Sequence, residues 1–78
     1  MTVKILFFGA TADMAGTRVL EIETGSTTAK ALTDHVIDDH PSLARHKILF
    51  SVNEEYVPGD TQLRDGDELA IFTAVSGG

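Results

Sequence analysis

Apolar and polar residues alternate in short runs near both ends of the chain, and once between them the apolar spacing lengthens to a helical one. Residues 3–8, Val3-Lys4-Ile5-Leu6-Phe7-Phe8, are apolar, β-branched and aromatic, which predicts a central strand. The stretch from Gly9 to Gly16 predicts a turn or one short helical piece. Thr17 to Glu23 reads as a second strand, paired with the first as a hairpin with a long connection. After the Thr24-Gly25 turn, Ser26, Thr27 or Thr28 can cap a helix. In that helix Ala29, Leu32 and Val36 recur at helical spacing and Ile37 widens the stripe, while Lys30, Asp34 and Asp38 lie away from it. His40-Pro41 ends it, because the residue before proline avoids the helical region.

Beyond a short link containing Leu43, residues 47–53 predict a strand with Ile48, Phe50 and Val52 on one face. Glu54-Glu55 turns into an expected short strand at Tyr56-Val57, broken by Pro58-Gly59. Leu63 is an apolar plug in a polar loop, Asp65-Gly66 is a turn pair, and Glu68 to Thr73 is the last strand. The order β-β-α-β-β-β with one main helix gives an α+β class: a mixed sheet with the helix packed on one face. The first and last strands, the most apolar, should lie side by side at its centre. This is the layout of the β-grasp, or ubiquitin-like, fold. It assigns residues 1–73 to one domain and 74–78 to a flexible tail.

The period-2 pattern also sorts surfaces. Lys4, Leu6 and Phe8 share one face of the first strand, and Glu68, Ala70 and Phe72 one face of the last. One helix covers one side only, so the faces bearing Lys4 and Glu68 should stay open, with Tyr56 beside them. An open apolar patch of this kind marks a binding surface, unless the 9–16 loop folds over it.

Composition narrows the chemistry. The chain has 78 residues and a 42% hydrophobic fraction, enough for one modest core. It has no cysteine, which removes disulfides, thiolate metal sites and any side-chain persulfide and fits a cytoplasmic setting. A formal charge of −6 argues against nucleic acid; it suits a basic protein partner, but taken alone it reads as charge that keeps the domain soluble. The apolar run at the N-terminus is too short to span a membrane. Gly9 to Gly16 lacks the spacing and lysine of a phosphate loop. His35, His40 and His46 never stand four apart on a helix, and Asp60, Asp65 and Asp67 lack calcium-loop spacing, so no metal or cofactor site is expected. No serine can be given an oriented base, so the chain is not expected to be an enzyme by itself.

What remains is the C-terminus, Ala74-Val75-Ser76-Gly77-Gly78. Glycines without Cβ atoms let backbone enter a narrow channel. A free α-carboxylate, with a pKa near ~3.5, is ionised at neutral pH and resists nucleophiles. Chemistry at Gly78 therefore needs prior activation, for instance as an acyl-adenylate made by an ATP-using partner.

Four stretches, in order and spacing, resemble the small, sulfur-carrying subunit of molybdopterin synthase. They are Val3 to Phe8 with its sequel through Ala15-Gly16-Thr17, Val52-Asn53 with the acidic residues after it, Leu63-Arg64-Asp65-Gly66-Asp67-Glu68, and Val75-Ser76-Gly77-Gly78. The resemblance implies that an activating enzyme adenylates Gly78 with ATP and that a sulfur donor protein converts it to a thiocarboxylate. It implies that the tail, with Gly77 next to the reactive residue, inserts into the large subunit of a heterotetrameric synthase. There sulfur passes to cyclic pyranopterin monophosphate in molybdenum cofactor biosynthesis. It also implies partner contacts by Phe8, Tyr56, Phe72, Val75 and Ser76. The chain departs from the family in having Thr73-Ala74 where proline is frequent, and Ala12-Asp13 where an Arg-Glu pair is frequent. Three other functions use the same features: a sulfur carrier for another product such as thiamine thiazole, a ubiquitin-like protein modifier, or an interaction domain with an inert tail.

Overall fold

The computed structural model describes residues 1–74. Four strands and two α-helices are formed: β1 (Thr2–Phe7), α1 (Ala10–Ala15), β2 (Val19–Glu23), α2 (Ala29–Asp39), β3 (Ile48–Val52) and β4 (Glu68–Thr73), with a 3₁₀ turn over Pro41–Arg45. The sheet order is β2-β1-β4-β3. β1 and β4 are parallel and central, with Ile5 opposite Leu69 and Leu6 opposite Ala70. β2 and β3 flank them as antiparallel edges. With α2 laid over one face, this is the expected mixed-sheet β-grasp.

Alternation explains why the central pair is stable. Val3, Ile5, Phe7, Leu69 and Ile71 turn to one side and bury almost completely against Ala29, Leu32 and Val36 of α2 and against Leu43 and Leu63. Leu63 reaches this core from a loop, as its isolated position in a polar stretch predicts. Ile48 and Phe50 of β3 are partly buried against the same cluster, and Val52 is buried within it.

Helix α2 begins at Thr28, whose hydroxyl accepts from the Ala31 N–H at 3.2 Å. The loop before β4 satisfies the neighbouring helix amides. Ala29 N–H donates to the Thr61 carbonyl and Lys30 N–H to the Gly59 carbonyl, both at 2.9 Å. The first three amides of a helix have no partner within it, so this loop takes the place of water. At the other end His40 closes the helix. Its backbone N–H reaches the Val36 and Ile37 carbonyls, and its Nδ1 lies 2.9 Å from the Val36 oxygen. Pro41 then starts the 3₁₀ turn.

One open alternative is resolved and one expectation changes. The connection from Gly9 to Gly16 is the short helix α1, with Gly16 in the left-handed conformation as its C-cap. Its Ala12, Met14 and Ala15 pack against the core, so it does not fold over the open face. The strand expected at Tyr56-Val57 is absent. Asn53 and Glu54 both have positive φ, 50° and 69°, and form a two-residue turn. Val52 and Glu55 exchange both backbone hydrogen bonds across it, at 2.8 and 3.0 Å. The chain then leaves to cap α2. Pro58, which has no N–H, makes continued pairing less favourable still.

Candidate docking surface

The face of the sheet opposite α2 is built from the other set of alternating residues. In register across all four strands stand Val19, Leu6, Ala70 and Ser51. On one side of this row lies a charged one, Glu21, Lys4 and Glu68, in which Lys4 Nζ sits 3.9 Å from Glu68. On the other side Phe72 stands opposite Leu49. Phe8 follows β1, its N–H donating to the Ile71 carbonyl at 3.1 Å, so its ring comes out on the side of Leu6.

Three large apolar side chains stand clear of the protein: Phe8 at 53% exposure, Val19 at 47% and Tyr56 at 78%. Tyr56 meets Phe72 edge to face, ring centroids 6.0 Å apart. The structure therefore brings together Phe8, Tyr56 and Phe72, the three body residues expected to contact a partner. Ala70, also expected on the open surface, keeps only 8% exposure between the larger Leu6 and Ser51. Val75, Ser76, Gly77 and Gly78 lie outside the described residues.

The position of Tyr56 follows from the turn before it. The Asn53 amide group donates to Asp67 at 3.0 Å and its oxygen accepts from the Glu68 N–H at 3.0 Å, while its own N–H donates to the Glu68 carbonyl at 2.9 Å. This bolts the turn to the start of β4. A turn with both central φ values positive suits two hydrogen-bonded strands, and asparagine tolerates that region better than glutamate does. Val57 then turns into the core while Tyr56 stays outside. Sequence reasoning read this segment as a strand. The signal it passed over was asparagine directly after an apolar run.

The open face continues around the end of β1 into a groove of about 500 Å³ between α1 and the start of β2. Phe8, Val19, Gly9 and Ala12 line it, and Asp13 and Arg18 stand at its edge. Thr11 fixes the inner wall. Its buried hydroxyl lies 2.7 Å from the Phe8 carbonyl and 2.9 Å from that of Ile71, tying α1 to both central strands where they end. Val19 and Leu49 extend the face beyond the residues read from sequence. Val19 could have been found from the hairpin register, which places it beside Leu6.

Among the described residues, no group of three His, Cys, Asp or Glu side chains could hold a metal ion. No described helix is long and apolar enough to cross a membrane. What the surface offers is an apolar face that runs up to the end of β4.

Comparison with known proteins gives this surface a context. The sequence profile of the ThiS family matches residues 5–78. The chain is 38% identical over 80 residues to the molybdopterin synthase sulfur carrier subunit of Escherichia coli K12, covering 97% of this chain and 99% of that protein. Its fold is similar to that of the small archaeal modifier protein 1 of Haloferax volcanii, with a TM-score of 0.81 and 26% identity over 95% of this chain and 98% of the other. It is also similar to a chain in the complex of subunits 1 and 2 of the molybdopterin-converting factor of Helicobacter pylori. There the TM-score is 0.72 and the identity 20%, with both chains fully covered.

Proposed function

The chain belongs to the ThiS family, and from that premise we propose that it is the sulfur-carrier subunit of a molybdopterin synthase, working through the carboxylate of Gly78. The observation that carries this reading is the apolar face of Phe8, Phe72 and Tyr56, placed where β4 ends and the C-terminal residues begin. Such a face lets a partner hold the body while the tail reaches a reaction centre elsewhere.

The chemistry follows from the carboxylate. Its oxygen attacks the α-phosphorus of ATP on an adenylating enzyme, forming an acyl-adenylate and releasing pyrophosphate. The terminal sulfur of a donor protein's persulfide then attacks the acyl carbon and expels AMP, and a thiol reductant cleaves the resulting acyl disulfide, leaving a thiocarboxylate and the donor's thiol as the reductant is oxidised to a disulfide. In the large subunit of a heterotetrameric synthase that sulfur passes to cyclic pyranopterin monophosphate. This chain supplies reach and docking, and its partners supply the catalytic groups and the nucleotide. We place the sequence in the cytoplasm.

Intact mass spectrometry tests the reading. After incubation with the adenylating enzyme, ATP and a sulfur source, one oxygen of Gly78 should be replaced by sulfur. The loaded chain should then support molybdopterin formation with the large subunit. Full activity after deletion of Gly78 rules the reading out.

A second reading is favoured by the likeness to the archaeal modifier. The same acyl-adenylate, attacked by a lysine amine in place of sulfur, gives an isopeptide bond and releases AMP. Conjugates to lysines without any thiocarboxylate would make this the correct reading.

A further inference from the structure

The chain carries twice as many carboxylates as basic side chains, 12 against 6. Two of the basic ones are paired within the body, and a third lies exposed toward the opposite end of the sheet. Lys30 is paired with Asp34 at 2.7 Å, Lys4 stands beside Glu68, and Arg64 lies in the loop before β4. The other three, Arg18, Arg45 and Lys47, gather at the end of the sheet where β4 stops. Arg18 precedes β2, its carbonyl accepting from Phe7 N–H at 2.9 Å. Arg45 closes the 3₁₀ turn, His46 follows it, and the Lys47 carbonyl accepts from Ala74 N–H at 3.2 Å. All four side chains are exposed, and none forms an ion pair among the described residues.

The strand order puts Arg18 on one edge of the sheet and Lys47 on the other, with the end of β4 between them. Three strand spacings set these edges roughly 14 Å apart. Asp13 on α1 lines the same groove as Arg18, while Asp38 and Asp39 belong to the last turn of α2, on the covered side. The opposite end of the sheet is acidic. Glu23 faces Thr2 in register, Asp65 accepts from Thr2 N–H at 2.7 Å, and Asp67, Glu68 and the Glu54-Glu55 turn lie alongside. A chain of net charge −6 thus presents a basic bracket at the base of its tail.

We infer that this bracket docks on an acidic rim around the channel through which the adenylating enzyme receives the tail. The inference rests on the carrier reading given above. Four residues span at most about 14 Å, so the bracket stays at the channel mouth when Gly78 reaches the nucleotide. Activation is a transient encounter, repeated each time the carrier is discharged. Charge complementarity raises association rates and fixes orientation without slowing release, which suits such an encounter. The large subunit has the opposite requirement. It holds the carrier in a stable complex, which draws on apolar area such as the face of Phe8, Phe72 and Tyr56. The acidic rim therefore belongs to the activating partner.

The test is ATP–pyrophosphate exchange by the cognate adenylating enzyme, with the full-length carrier as variable substrate. The double variant R45E/K47E, and separately Arg18→Glu, should raise KM about tenfold at low ionic strength and leave kcat unchanged. The difference should shrink to less than twofold at about 0.5 M salt, where the screening length is only a few ångströms. Binding of R45E/K47E to the large subunit should be unaltered. The inference is overturned if KM does not move, if the effect persists in high salt, or if the large subunit loses affinity for R45E/K47E to the same degree. Circular dichroism of both variants checks that they are folded. Phe72→Ala and deletion of Gly78 serve as separate controls. If neither changes exchange, the carrier reading itself has failed, independently of the bracket.

Discussion

On the covered face of β1 and β4, Val3, Ile5, Phe7, Leu69 and Ile71 keep at most 3% of their surface, whereas on the other face Phe8 keeps 53% and nearby Tyr56 78%. Both faces carry aliphatic and aromatic side chains, the open one beside the charged row of Glu21, Lys4 and Glu68. What separates them is whether the chain supplies its own cover. The covered face lies under α2, Leu43 and Leu63, so its apolar area is already converted into fold stability. On the open face Tyr56 meets Phe72 edge to face, and the exposed apolar area there remains to be buried against another molecule. Substitutions on the two faces should therefore fail in different assays.

The sharpest contrast is expected from Ile5→Ala, which empties a fully buried site. Denaturant melting should register a loss of about 2–5 kcal/mol. Partner affinity, corrected for the folded fraction, should be unchanged. Phe72→Ala and Tyr56→Ala should do the reverse: thermal stability within about 1 kcal/mol of the parent and large-subunit affinity down by about tenfold or more, read by calorimetry. If Tyr56→Ala unfolds the domain and Ile5→Ala does not, the assignment of the two faces is wrong.

Thr11→Val probes the seam between them. Its hydroxyl joins α1 to the ends of β1 and β4, and valine keeps the shape while removing the donor. Melting should show a loss of about 1 kcal/mol, because both carbonyls keep a backbone partner. Amide exchange should quicken in residues 9–16 before it does in β1. The smallest effect is a gain. Glu54→Gly relieves a positive φ of 69° and should raise stability by about 0.5–1 kcal/mol, with partner binding unchanged because Tyr56 keeps its place.

The sheet was legible in the sequence because its two faces impose a period of two, and α2 because its buried stripe imposes a helical one. The open face was legible for the same reason: with one helix, the residues on the Lys4 side of β1 had nothing to cover them. The segment from Asn53 to Leu63 was not, because nothing local decides it. Tyr56-Val57 has strand-forming residues, yet Gly59 and Thr61 are drawn away to the amides of Ala29 and Lys30, some thirty residues earlier in the chain. Long-range satisfaction of a helix end overrode local propensity. The basic bracket at the tail base was equally hidden. Arg18, Arg45 and Lys47 are scattered in sequence and come to one end of the sheet only through the strand order.

That order also bears on how the molecule is made. β4 inserts between β1 and β3, so Leu6 meets Ala70 and Ala70 meets Ser51 only once the final strand is available. Before then the hairpin of β1 and β2 and the segment of α2 and β3 share no ladder. Contacts so distant in the chain make closure of the sheet the slow step of folding. A nascent or truncated chain therefore has no assembled docking face to offer. Competence to bind arrives in one event with completion of the sheet, which keeps unfinished copies from occupying the partners of finished ones.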